Sequence, residues 1–314
     1  MAKTDTKQNK ISFQNIFPFL GLALILVLFT ILTQGKLFSR AALKSTLNDG
    51  LYILMGTAGF TFLCAEGEMD FSIGYNMGVS CAVCCLVANA VNIYVAVPAA
   101  ILTGIVIGLV NGLIVTKTHI MSMIATMGMM FILQGLVLVL LNGSVLQAPL
   151  TMLKMYTDPL KIFLLIATVV LGYLLLEKTK FGRVAKAVGA CPEAVRQTGI
   201  NSDRIKLITY IIVGGICGIL GFVSLARTGS ATNSTGGTLM FNALCATLMG
   251  AVPLTGGPTT KFRGAVLGTL TISFLVTGMT LLRISATNQQ LIKGLIFLVA
   301  VGVSFDRKNM KVIK

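Results

Sequence analysis

Residues Lys178 to Ile200, KTKFGRVAKAVGACPEAVRQTGI, are the one long interruption in an otherwise apolar chain, and the fold turns on how they are read. Lys178, Lys180, Arg183, Lys186 and Arg196 stand between two segments oily enough to cross a bilayer. Short cytoplasmic loops collect Lys and Arg, so the stretch is expected in the cytoplasm. Gly182 and Gly189 are read as points for tight turns, and Pro192 as the first residue of a short helix. Glu193 beside it suits that helix's positive N-terminal end. The expectation is a rigid helical knob beneath a membrane bundle.

The rest of the chain supplies that bundle. Of 314 residues, 55% are hydrophobic and 11% charged, and mean hydropathy is +0.89. An average soluble domain has roughly 25% charged residues, so this is the composition of an integral membrane protein, with lipid as its surroundings. The 25 basic and 10 acidic residues leave a net charge of +15. A nucleic-acid binder can share that value, but here the basic residues fall in short loops between apolar runs, and no nucleic-acid partner is expected. Cys64, Cys81, Cys84, Cys85, Cys191, Cys217 and Cys245 mostly lie inside apolar segments and form no spaced disulfide framework. Cys81, Cys84 and Cys85 share a helix face without a nearby His, which favours packing over metal binding. The tail MAKTDTKQNK precedes an apolar run from Ile16 to Thr33, longer than a signal-peptide core and without a small-residue cleavage site, so it is read as an uncleaved first membrane helix.

A crossing helix needs about 20 mostly apolar residues. Crossings are expected near 15–34, 45–64, 72–90, 94–115, 121–141, 161–177, 206–226, 239–255, 264–283 and 288–305. The fold class is therefore all-α: a polytopic membrane protein of about ten transmembrane helices with broken or re-entrant segments. It is read as a single domain over 1–314, with a cytoplasmic tail over 1–14 and a cytoplasmic loop over 178–205. An even number of crossings places both basic tails, Lys3/Lys7/Lys10 and Arg307/Lys308/Lys311/Lys314, in the cytoplasm with Lys117/His119 and Lys261/Arg263. Lys36, Arg40 and Lys44 dissent, being left outside. Gly104, Gly108 and Gly112 recur every four residues, as do Gly214 and Gly218, and Gly264 and Gly268, which lets helices approach closely within one chain.

Polar residues inside a membrane are costly and mark pathways or packing. In AEGEMDFSIG, Glu66, Glu68 and Asp70 crowd the junction of the second and third crossings beside Gly67 and Gly74. The physics alone fits either a solvated surface turn or a broken helix beside a route. Asn111, Thr126, Gln134 and Asn242 are neutral hydrogen-bonding groups in apolar helices, fit either to line a path for a hydroxyl-rich solute or to bond neighbouring helices.

Several of these stretches share a resemblance. GRVAKAVGACPEAVRQTGI resembles the cytoplasmic coupling loop of membrane permeases of ABC importers, in the family that carries ribose and related monosaccharides, with branched-chain amino acid permeases as more distant relatives. Its pattern G-R, A-x-G, E-A, G-I is matched by Gly182, Arg183, Ala187, Gly189, Glu193, Ala194, Gly199 and Ile200, while Ala190 and Cys191 stand where the family has Gly-Asn. AEGEMDFSIG resembles G-x-x-D-L-S-x-G through Gly67, Asp70, Ser72 and Gly74, with Phe71 in place of Leu. LVNGLIVTKTHIMSMIATMGMMFILQGL is similar to a further family stretch through Asn111, Gly112, Ile124, Thr126, Gly128, Met130 and Gly135. FNALCATLMGAVPLTGGPTTKFRGAVLGT resembles a Gly-Gly-x-x-x-x-Gly-Gly element through Gly250, Gly256, Gly257, Gly264 and Gly268, with Ala251 replacing its second Gly. A faint duplication relates the Gly-broken segments ending at Gly74 and Gly257.

The resemblance implies a short helix that docks in a cleft of a separate ATP-hydrolysing subunit through Gly182, Arg183, Ala187, Gly189, Glu193, Ala194 and Gly199. Glu193 would order that helix and Arg183 anchor the loop. It further implies a second permease copy or homologous partner, an extracytoplasmic substrate-binding protein, a prokaryotic inner membrane, and a translocation path near Asp70 and Ser72 with Asn111, Thr126, Gln134 and Asn242. The chain itself has no G-x-x-x-x-G-K-[ST] phosphate loop, and His119 is its only histidine. No enzymatic activity, cofactor or metal is expected. The rival is an ion-gradient-driven secondary transporter, which needs a midplane ionisable residue, whereas Glu66, Glu68 and Asp70 fall at an expected helix end.

Overall fold

A computed structural model of the protein describes residues 13–304, so the basic tails over Lys3/Lys7/Lys10 and Arg307/Lys308/Lys311/Lys314 lie outside the described residues. Long apolar runs fold into α1 (Phe13–Leu32), α2 (Arg40–Ala65), α3 (Ile73–Ala90), α4 (Ile93–Thr118) and α5 (Ser122–Leu140). The short α6 (Leu150–Met155) then leads to α7 (Asp158–Tyr173), which winds on as a π-helical end over Leu174–Lys178. The knob follows as α8 (Lys180–Ala190) and α9 (Pro192–Gln197). The chain finishes with α10 (Ser202–Thr228), α11 (Leu239–Met249), α12 (Phe262–Leu281) and α13 (Ala286–Ser304). Two-residue strands β1 (Leu146–Gln147) and β2 (Ser230–Ala231) pair antiparallel at the end of the bundle far from the knob. Polar side chains set the helix starts: the Ser39 hydroxyl accepts from Ala42 N, and Asn201 Oδ1 accepts from Asp203 N at 2.9 Å.

Among the described residues, α3, α4, α5, α7 with its π-helical end, α10 and α12 are long and apolar enough to cross a membrane. The crossing expected over 239–255 is corrected: α11 stops at Met249 after 11 residues, about 16 Å, or half a hydrocarbon core. Ala251 adopts φ +51°, outside any helix, and Pro253 cannot continue one. The stretch 232–238 enters instead as non-helical chain and runs past α3.

The recurring glycines close seams inside the chain. A Cβ on Gly104 would stand 2.2 Å from Gly214 O, and one on Gly108 2.3 Å from Tyr210 O, so α4 and α10 touch backbone to backbone. Gly268 and Gly264 bring α12 equally close to Ala246 and Gly250 around the end of α11. The start of α3 lies deep in the bundle, where Cys217 Sγ approaches Ile73 O at 3.6 Å, about 22 Å along α10 from Ser202. There Gly74 meets Gly236, just ahead of α11. Two half-length approaches thus touch in the middle of the molecule.

Candidate functional site

The knob is built by opposed faces of α8. Gly182, Ala185 and Val188, at helical spacing, turn into the bundle, and the Thr179 hydroxyl caps the helix by accepting from Gly182 N at 3.2 Å. The two glycines are not the turns expected from sequence. Both are helical, and their missing side chains admit backbone: a Cβ on Gly182 would lie 2.3 Å from Leu176 O, and one on Gly189 would lie 2.2 Å from Ala65 O and 2.7 Å from Gly257 N. The turning is done by Cys191 and by Gly199 at φ +82°. Pro192 opens α9 as expected. Arg183, Ala187, Glu193, Ala194 and Gly199 remain exposed, the Glu193 side chain at 76%. Arg183 Nη1 donates to Lys178 O at 3.2 Å, and Arg196 reaches both Ser202 Oγ and the Asp203 carboxylate, which ties α9 to the start of α10.

Three segments meet under the knob. Gly257 N donates to Ala65 O at 3.1 Å, Gly256 packs on Gly67, and the end of α8 presses on both breaks. Glu177, on the π-helical end of α7, accepts from Lys186 Nζ at 3.0 Å and from Phe262 N at 3.0 Å, so one carboxylate joins α8 to the first turn of α12. Sequence reading missed Glu177, although an acid one residue before a basic run is a usable signal.

The acids of AEGEMDFSIG occupy this same region and are buried, with Glu66, Glu68 and Asp70 at 3%, 8% and 2% exposure. They fall, as expected, between the end of α2 and the start of α3, and burial favours the broken helix over the solvated surface turn: the stretch is enclosed by neighbouring helices. Glu68 pairs with Lys206, and Glu66 accepts from the Thr209 hydroxyl. Asp70 Oδ1 accepts from Ser72 N at 2.7 Å and Ser72 Oγ at 2.6 Å, beside the positive start of α3. Asn111 Nδ2 donates to Ser72 Oγ at 2.7 Å, and the Thr126 hydroxyl accepts from Phe71 N at 3.1 Å. Asp70, Ser72, Asn111 and Thr126 are therefore brought together by α3, α4 and α5. Gln134 stands apart, half-buried on α5.

Asn242 belongs to a different place, a cavity of about 220 Å³ near the far end among α2, α10, α11, α12 and α13. Its polar walls include Asp49, Tyr52, Arg227, Asn242, Gln289 and Lys293. Arg227 pairs with Asp49 and lies 5.6 Å over the Tyr52 ring. Lys293, 6% exposed, donates to Asn242 Oδ1 at 2.9 Å. Of these, sequence reading identified only Asn242. Lys293 within an apolar helix was the signal for the rest.

An all-α polytopic bundle with interrupted helices, a basic knob and a polar recess is the class of a multi-pass membrane permease. The chain belongs to the family described as "Branched-chain amino acid transport system / permease component", which matches residues 42–301. It is 30% identical to the ribose import permease protein RbsC of Bacillus subtilis (strain 168) over 97% of each chain. It is 30% identical to the ribose import permease protein RbsC of Escherichia coli (strain K12) over 60% of this chain and 62% of that one, so the chain spans less than two thirds of that relative. With the xylose transport system permease protein XylH of Haemophilus influenzae it shares 34% over 48% of this chain and 40% of the other. No solved structure matches the chain.

Proposed function

We propose that the chain is the transmembrane permease subunit of an ABC importer in a prokaryotic inner membrane, forming the path for a monosaccharide or similar polar small solute. ATP hydrolysis belongs to a separate subunit, which docks on the exposed side of α8 and α9 through Arg183, Ala187, Glu193, Ala194 and Gly199. A second permease, identical or homologous, completes the path, and an extracytoplasmic binding protein delivers the solute. Both termini and the knob face the cytoplasm. The basic residues of the knob, with Lys117, Lys261 and Arg263, support that orientation, while at the far end Lys44 and Lys161 share Asp158.

One observation carries the coupling role: Gly189 lies against Ala65 O and Gly257 N, the ends of both helix breaks. A push on the exposed knob is delivered backbone to backbone, with no flexible side chain to absorb it. The breaks lead to α3 and α11, whose approaches touch at Gly74 and Gly236, so displacement under the knob is passed to the middle of the bundle. The polar cluster of Asp70, Ser72, Asn111 and Thr126 holds the start of α3 during that movement, and Gln134 and Asn242 are further candidates for the path. Replacing Glu193 and Gly199 together is expected to leave ATP hydrolysis running while solute uptake stops. Full uptake by the double variant overturns the docking role. Solute movement by the purified chain down an ion gradient, with no ATPase present, overturns the importer reading in favour of a secondary transporter.

A further inference from the structure

The far-end cavity carries an unbalanced charge. Arg227 is neutralised by Asp49, but Lys293 pairs with no carboxylate among the described residues; its hydrogen-bond partner there is the neutral Asn242 amide. A cation buried to this extent in an apolar helix is costly unless a counter-charge or hydrogen-bond acceptors offset it, and the one acceptor that the chain's own side chains provide is a neutral amide. The start of α11 adds to the same sign. Thr238, the N-cap of this 11-residue helix, lines the cavity and makes no side-chain cap bond, so the partial positive charge of the helix start lies at the cavity's edge. The formal charge of the lining is two cations against one anion, and the amides of Asn242 and Gln289 belong to the same lining, the Gln289 Nε2 being held by Thr280 Oγ1 and Ile284 O.

We infer that this cavity binds a small polyhydroxylated carboxylate, a sugar acid, with the carboxylate on Lys293 and the hydroxyls on the amide-lined wall. A neutral sugar fills the same space but leaves the ammonium without a counter-ion. The assignment rests on the permease reading and narrows its solute class. It also gives the Asn242–Lys293 contact a purpose: the amide holds the ammonium in the cavity wall without neutralising it.

The test uses the full chain in lipid nanodiscs, with equilibrium binding of radiolabelled gluconate and glucose compared at constant ionic strength. Gluconate is expected to bind about tenfold or more tightly than glucose, the factor that a charge-assisted hydrogen bond supplies over a neutral one. Lys293→Met is expected to bring the ratio to parity, and Lys293→Arg to keep gluconate ahead. Asn242→Asp, which supplies an internal carboxylate to Lys293, is expected to erase the preference in a chain whose melting midpoint shows it folded. Equal binding of the two probes, a preference that survives Asn242→Asp, or binding of neither probe each overturns the inference. The permease reading falls separately, if cells deleted for this chain retain ATP-dependent uptake of the solute.

Discussion

Substituting Gly189 by Ala tests the mechanical seat of the knob directly. The added methyl starts 2.2 Å from Ala65 O and 2.7 Å from Gly257 N, whereas ordinary contact begins near 3.4 Å, so α8 must retreat by about 1.2 Å or the break must open. Both obstacles are backbone and are joined to each other by the Gly257 N to Ala65 O bond of 3.1 Å, which leaves no side chain to swing aside. Overpacking of this kind costs about 1–3 kcal/mol, and loss of the joining hydrogen bond adds about 1 kcal/mol. At about 1.4 kcal/mol per factor of ten, even about 2 kcal/mol lowers the ratio of seated to unseated forms roughly thirtyfold. The assay is solute uptake by cells carrying the variant, read beside the thermal midpoint of the purified chain. Uptake is expected to fall by more than the amount of protein does. Gly21→Ala is the control: a Cβ there meets nothing within 4 Å, and alanine improves helix propensity by up to about 1 kcal/mol. Wild-type uptake and midpoint for Gly189→Ala would refute the seat.

Glu177→Gln keeps an acceptor for Phe262 N but loses the Lys186 ion pair, and is expected to cost about 1 kcal/mol; Glu177→Ala loses both contacts and is expected to cost about 2–3 kcal/mol in thermal or denaturant unfolding. Gly108→Val forces apart the α4–α10 seam, where the first added carbon is 2.3 Å from Tyr210 O. A loss of about 3 kcal/mol is expected, read as loss of monodisperse detergent-extracted protein in size-exclusion chromatography. Asn111→Ala removes the donor to Ser72 Oγ beside the buried Asp70 carboxylate, and a loss of about 1–3 kcal/mol is expected in the melting midpoint, with Asn111→Asp more damaging.

Most of the bundle was legible because hydropathy and length are local signals. The bounds of α3, α4, α5 and α12 fall within a few residues of the apolar runs that announce them, and Pro192 with Glu193 marks the start of α9. The half-helix α11 was not legible. The window 239–255 is apolar enough to sum to a crossing, and the sum does not register that Ala251 takes a positive φ and that Pro253 follows. Glycine spacing identified close approach but not its partner, so Gly182 and Gly189 read as turns when they are contact points inside a helix. Of the expected path residues, Asp70, Ser72, Asn111 and Thr126 converge, because the motif spacing and two neighbouring helices bring them to the start of α3. The cavity was hidden for a different reason. Asp49 and Arg227 are 178 residues apart, and each looks alone like an interfacial charge at a helix end. Only tertiary packing makes them a pair and leaves Lys293 as the unbalanced charge.

The hydrogen bond from Gly257 to Ala65 also bears on how the protein is made. It staples an early part of the chain to a late one, and the knob is synthesised between them. As the ribosome works toward the C-terminus, α8 emerges after Ala65 but before Gly257, so one side of its seat is made only once α11 and the turn after it have been synthesised. A chain cut short before Gly257 lacks that clasp, whereas the finished molecule buries the inner face of α8 at Gly182, Ala185 and Val188.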